Sequence, residues 1–175
     1  MSTQTISKFK WFWAWQDEKE EGWLSEMSAD GYHLQTSHSF GYYTFVSGEP
    51  ANYTYRLDYL NVSREESESY YQLFEDAGWE FIGAMAGWQY FRIPTPADEQ
   101  PEIYTDPESK IKKYERLIYT LLLFLPIFVI FLAVWNRNLP APIELPVTIL
   151  IGSLMILFAV SMFKIIQRIN QLKRR

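Results

Sequence analysis

Few residues in this chain could do chemistry, and their spacing limits what that chemistry could be. His33 and His38, the only two histidines, stand five apart on a strand and its turn, a poor arrangement for two ligands of one metal. There is no cysteine, which excludes a thiolate metal site, a cysteine nucleophile and a disulfide framework. Glycine-rich phosphate loops, G-x-S-x-G elbows and H-E-x-x-H are absent. The sequence therefore predicts neither an enzyme nor a metal or cofactor site. Arg56 and Asp58 alternate with Tyr55, Leu57 and Tyr59, so they share the opposite strand face and could line a polar pocket that Arg92 joins. Glu75, Asp76 and Glu80 read as a solvated acidic face. Asn52-Tyr-Thr and Asn61-Val-Ser match the glycosylation pattern, which a cytoplasmic domain would leave unmodified.

Aromatic residues are the larger signal. With 7 Trp, 12 Tyr and 12 Phe, the chain holds more rings than one sheet-and-helix layer needs for its core. An exposed aromatic patch usually marks a binding surface. The candidate ligand or partner surface is Trp11, Trp13, Tyr53 and Tyr55, on the sheet face turned away from the helices, together with Arg56 and Asp58.

The elements that must position these residues follow from periodicity. Phe9, Trp11, Trp13 and Trp15 alternate with Lys10, Phe12 and Ala14, which reads as a strand. A helix starts at Asp17, where Glu18, Glu20 and Glu21 suit its positive N-terminal end, and Gly31 closes it. Strands follow at Tyr32 to Leu34 and Phe40 to Val46, with a turn over residues 47–50. Tyr53 to Leu60 is the next strand, and Ser63 with Glu66 has capping-box spacing ahead of a helix closed by Gly78. Trp79 to Gly83 and Trp88 to Ile93 complete the set. The segment WLSEMSADGY at 23–32 resembles YYQLFEDAGW at 70–79, an offset of 47 residues. The expected fold is thus α+β: one antiparallel sheet with two helices on one face, built from a duplicated β-α-β-β unit and followed by a two-helix transmembrane hairpin.

Charge and hydropathy are both segregated. Residues 1–106 carry 18 Asp/Glu against 6 Lys/Arg, and residues 107–175 carry 3 against 10. So acidic a globular part argues against nucleic acid, whose phosphates need a basic footprint. Leu117 to Trp135 and Leu145 to Phe163 are each uncharged and near the roughly 20 residues that span a bilayer. The expected domains are 1–94 (soluble, aromatic-rich), 95–116 (linker and basic juxtamembrane helix), 117–135 (first span), 136–144 (external loop), 145–166 (second span) and 167–175 (basic tail). Lys110, Lys112, Lys113 and Arg116 precede the spans and Lys164, Arg168, Lys173, Arg174 and Arg175 follow them, while the loop offers only Arg137. The positive-inside bias then puts both termini and the soluble domain in the cytoplasm, with those nine cations against lipid headgroups. Met1 to Lys10 has no continuous apolar run, so no secretory signal is expected.

Together, W-F-W near the start, E-E-G-W-L at 20–24, G-Y-H-L after the first helix, Y-T-Y-R-L-D-Y at 53–59 and F-E-D-A-G-W-E at 74–80 resemble the bacterial family called domain of unknown function 2812, over residues 8–116. The resemblance implies C-terminal membrane spans and a frequent position beside PadR-like regulators, and it supplies no catalytic residue. The function expected is a membrane-anchored cytoplasmic interaction or sensor module, regulatory in a stress or drug response, that binds a protein or hydrophobic ligand through its aromatic sheet. Its expected partners are membrane lipid and a membrane or regulatory protein. The alternatives are an accessory subunit of a membrane transporter and, more weakly, an enzyme acting near the membrane.

Overall fold

The computed structural model describes residues 4–60, 64–95, 99, 101–104, 106–135 and 141–174, of which 64–67, 127, 128, 131–135 and 141–143 are described by their backbone. It divides into two compact units, Met1–Thr105 and Asp106–Arg175.

The first unit is α+β and runs β1 (Thr5–Phe9), α1 (Asp17–Ala29), β2 (Tyr32–His38), β3 (Tyr42–Ser47), β4 (Tyr53–Tyr59), α2 (Arg64–Asp76), β5 (Glu80–Met85) and β6 (Trp88–Pro94). The strands form two antiparallel sheets of three, ordered β1-β3-β2 and β4-β6-β5, in place of the single sheet expected. Their neighbouring edges, β2 and β5, approach without pairing. Each carries a register shift, between Leu34 and Thr36 in one and between Phe81 and Gly83 in the other. Such bulges twist a strand away from straight edge-to-edge pairing.

Both helices end as their glycines predict. Gly31 (φ +84°) and Gly78 (φ +88°) take the left-handed conformation that closes a helix. After α2 the Gly78 amide donates to the Glu75 carbonyl and the Trp79 amide to that of Phe74. The expected Ser63 cap lies outside the described residues. Leu24 and Phe45 are fully buried, and Trp23 stands edge-on to Tyr43 at 4.9 Å, so α1 covers the inner face of the first sheet. On the second sheet Phe74, Trp79 and Phe91 form the core, with Tyr70, Tyr71, Phe81 and Ile93 packed against it.

The first strand differs from the sequence expectation. It ends at Phe9, whose partner Tyr42 is the first residue of β3, so the chain beyond Phe9 has no strand beside it. Trp11, Trp13 and Trp15 lie on the connection to α1, where Trp13 and Trp15 stack at 5.4 Å with ring planes 2° apart.

The second unit contains α3 (Pro107–Trp135) and α4 (Ala141–Leu172), which contact each other. Pro126 lies within α3. Among the described residues one helix segment, Glu144–Leu172, is long and apolar enough to cross a membrane. Leu145, Ile149, Ile156 and Phe163 on it are exposed, unlike residues of a soluble core helix. Pro140, within the expected external loop, lies outside the described residues.

Candidate functional site

The edges of β2 and β5 border an open groove of about 400 Å³, with His33, Leu34 and Val46 on one side and Tyr53, Phe81, Ile82, Glu80 and Arg92 on the other. Its volume falls in the range typical of small-molecule sites. Arg92 Nε and Nη2 donate to the two Glu80 oxygens at 2.7 and 2.8 Å, the fork geometry that makes such pairs strong. Burial, the largest influence, opposes the guanidinium charge, but Glu80 and Tyr55 together outweigh it and lift the Arg92 pKa above its usual value. The guanidinium also sits 4.8 Å over the Tyr53 ring, and His33 meets that ring edge-on at 5.5 Å.

Behind the groove runs a chain of hydrogen bonds with one consistent set of directions. The Leu34 amide donates to Tyr55 Oη (3.3 Å), Tyr55 to Ser28 Oγ (2.8 Å), Ser28 to His33 Nδ1 (3.2 Å), and His33 Nε2–H to the Glu49 carbonyl (2.9 Å). It fixes the His33 ring as one wall of the groove.

A second polar cluster joins the two sheets. Glu20 Oε1 accepts the Tyr43 and Tyr90 hydroxyls, each at 2.8 Å, and Ser37 Oγ donates to Tyr90 Oη at 3.2 Å. Burial pushes the Glu20 pKa up, with Asp17 adding to the rise, although the tyrosine hydroxyls favour the charged form. Burial and the Glu20 charge push both tyrosines up, so each remains a phenol donor. Next to it, Glu21 Oε1 accepts the Leu57 amide at 2.9 Å and Ser25 Oγ accepts the Tyr55 amide at 3.4 Å. α1 thereby covers the free edge of β4.

The profile of the family described as "Protein of unknown function (DUF2812)" matches residues 16–126. The chain belongs to this family. No curated protein and no solved structure matches the chain. The DUF2812 match contains every groove residue and the Glu20 cluster, and it begins after Trp11, Trp13 and Trp15.

Against this DUF2812 geometry the residues singled out from sequence separate. Tyr53 lines the groove. Tyr55, expected on an exposed face, is fully buried, because its hydroxyl is satisfied by Ser28 and α1 covers its strand edge. Asp58 is also fully buried, accepting the Tyr70 hydroxyl and the Tyr59 amide, both at 2.7 Å. Arg56 is half-buried, lying 3.6 Å from Glu21 and 3.3 Å from Glu102. Arg92 does not join them. Register pairs it with Tyr55 and Glu80, so it points to the sheet face opposite Arg56 and Asp58. Trp11 and Trp13 are exposed on the β1–α1 connection.

Of the nine candidate lipid cations, Lys112, Lys164, Lys173 and Arg174 are exposed, and Lys110, Arg116 and Arg168 are half-buried. Lys113 is buried, its ammonium 4.9 Å over the Tyr114 ring, and Arg175 lies outside the described residues.

Sequence reasoning missed the groove and the buried acids. Glu20 and Glu21 look like solvated charges in a first helical turn. Their one distinguishing signal is position, since 20 and 21 lie on the same side of α1 as the buried Leu24 and Met27 at helical spacing.

Proposed function

We propose that this protein is a membrane-anchored sensor module that takes a hydrophobic ligand in the groove between β2 and β5. The groove carries this reading: its apolar walls are Leu34, Val46, Phe81 and Ile82, and polar contacts come from Tyr53, His33 and the Arg92–Glu80 pair at one end. That mixture, apolar walls with a few fixed polar groups, is what orients a small ligand. In this reading α3 and α4 form a two-span hairpin, with both termini and the folded domain in the cytoplasm. The apolar exposed length of α4 and the cations flanking the apolar runs support it.

The folded unit is read as a duplication. Supporting this, α1 and α2 are each 13 residues long, and the closing glycines, 31 and 78, are 47 apart. The strand orders β1-β3-β2 and β4-β6-β5 are also equivalent. The groove then lies where the two repeats meet edge to edge.

A photo-crosslinking side chain at Ile82 in native membranes tests the site. We expect an adduct at Ile82 that disappears with Tyr53→Ala or Arg92→Gln, and none from the same probe at exposed Leu73. Equal labelling at 82 and 73 would remove the groove from consideration.

A further inference from the structure

The rims of the two repeats differ in one place, and the difference is aromatic. Both hairpins turn through two residues of positive φ, Phe40–Gly41 (63° and 77°) and Ala86–Gly87 (50° and 89°). The second turn forms with alanine at its first position, so the geometry does not need a ring at 40. A bulky residue is costly there. The β1–α1 connection, residues 10–16, is also three residues longer than its counterpart, residues 60–63, and the longer stretch carries Trp11, Trp13 and Trp15.

Both departures fall at one edge, because the Lys10 amide donates to the Gly41 carbonyl at 2.8 Å. Phe9 and Tyr42 are register partners with rings 5.2 Å apart, and Trp11 meets Trp13 at 5.6 Å. Exposure is 61% for Phe9, 49% for Trp11, 37% for Trp13, 78% for Phe40 and 53% for Tyr42. Five large rings open to water on one rim exceed what a soluble surface ordinarily shows.

Charge indicates what covers them. Residues 1–16 and 31–48, which include the strands of the first sheet but leave out α1 and its acids, hold Lys8 and Lys10 and no Asp or Glu. Residues 1–106 as a whole carry 18 acids against 6 cations, so the remainder is net −14. A surface of anionic lipid attracts the rim and repels the rest of the domain. Trp and Tyr, with an apolar body and a polar handle, are the side chains that settle at headgroup depth. We infer that the rim formed by Phe9, Trp11, Trp13, Phe40 and Tyr42 is a bilayer-contacting surface, inserted at the headgroup boundary of the membrane that holds α4. It shares with the proposed function only the bilayer tether and is independent of the groove.

The absence of cysteine makes the test direct. Spin labels are placed singly at Phe40→Cys, Leu73→Cys and Ile156→Cys in the full chain, reconstituted in nanodiscs of phosphatidylglycerol and phosphatidylcholine. Collision rates are then read with oxygen, which concentrates in lipid, and with a water-soluble nickel complex. We expect the labels at 40 and 156 to favour oxygen and the label at 73 to favour nickel. Adding Trp11→Ala and Trp13→Ala should move the label at 40 toward nickel, lowering the docked-to-undocked ratio at least roughly tenfold, since two half-exposed rings leave the interface. A label at 40 as nickel-accessible as that at 73, with 156 still in lipid, overturns the bilayer contact and leaves tether and groove standing. Shielding of 40 from both reagents means a protein surface covers the rim, which also overturns it. Nickel access at 156 overturns the tether and this inference together.

Discussion

Glu21 of α1 places one carboxylate oxygen 2.9 Å from the amide of Leu57, in the middle of the β4 edge. An unpaired strand edge is a template for association with other chains. Here α1, which packs on the first sheet, closes the edge of the second. Glu21→Ala leaves that amide buried without its acceptor, which costs about 1 to 3 kcal/mol. We expect a lower melting temperature and concentration-dependent association, whereas Glu21→Gln, which keeps an acceptor, should fall between. Thermal unfolding with light scattering reads both effects.

Glu20 gives the domain a pH dependence opposite to that of a salt-bridged acid. Its folded pKa is raised above the ordinary 4.5, chiefly by burial, so the native state holds the proton more tightly than the unfolded chain. The stabilisation is complete below the unfolded value and is lost as pH rises through the folded one. Glu20→Gln stays neutral throughout. The stability difference between wild type and this variant should therefore shift against wild type as pH rises from 4.5, and denaturant titrations at several pH values measure it.

The two helix-closing glycines make a matched pair. Both have positive φ, so alanine at either costs roughly 1 to 2 kcal/mol from backbone conformation alone. At Gly31 a Cβ would also stand 2.8 Å from the Gly48 carbonyl oxygen, a backbone atom, while at Gly78 the nearest atom is the Ile93 Cδ1 at 3.5 Å. Gly31→Ala should lower the melting temperature more than Gly78→Ala. Equal losses would mean that the Gly48 segment yields freely.

Phe40 should separate stability from membrane contact. Asparagine tolerates its left-handed backbone better than phenylalanine does, so Phe40→Asn should stabilise the domain by up to about 1 kcal/mol. The same change removes the most exposed ring of the rim and should weaken docking to nanodiscs. Melting temperature and the accessibility of a label at Tyr42→Cys, measured on one variant, read both.

What sequence could reach was set by how local its causes are. Asp17–Ala29 and the strands from Tyr32 to Pro94 follow from glycine closures and alternation, and structure and reading agree there within a few residues. The stretch from Lys10 to Trp15 alternates just as well and is not a strand, since pairing ends where β3 turns at Phe40–Gly41. Periodicity reports which side a residue faces and not whether a partner strand extends far enough to meet it. The burial of Tyr55 and Asp58 was hidden for a similar reason. It arises from Ser28 and Tyr70, 27 and 12 residues away, and no local pattern encodes those contacts. The groove was out of reach because it lies between two sheets that alternation alone merges into one.

The closure of β4 by α1 also orders events during synthesis. When α1 and its sheet leave the ribosome, Glu21 and Ser25 still lack their partners on β4, and Glu20 lacks Tyr90 of β6. Leu57 lies 28 residues beyond the end of α1, which at 5 to 20 residues per second is a wait of roughly one to six seconds. During it Trp23 and Glu20 of α1 can already pack against Tyr43 of β3, while the Glu21 carboxylate and the Ser25 hydroxyl wait for the β4 edge. Residues 5–47 are therefore an incompletely packed piece, with part of α1 unmatched until β4 and β6 arrive.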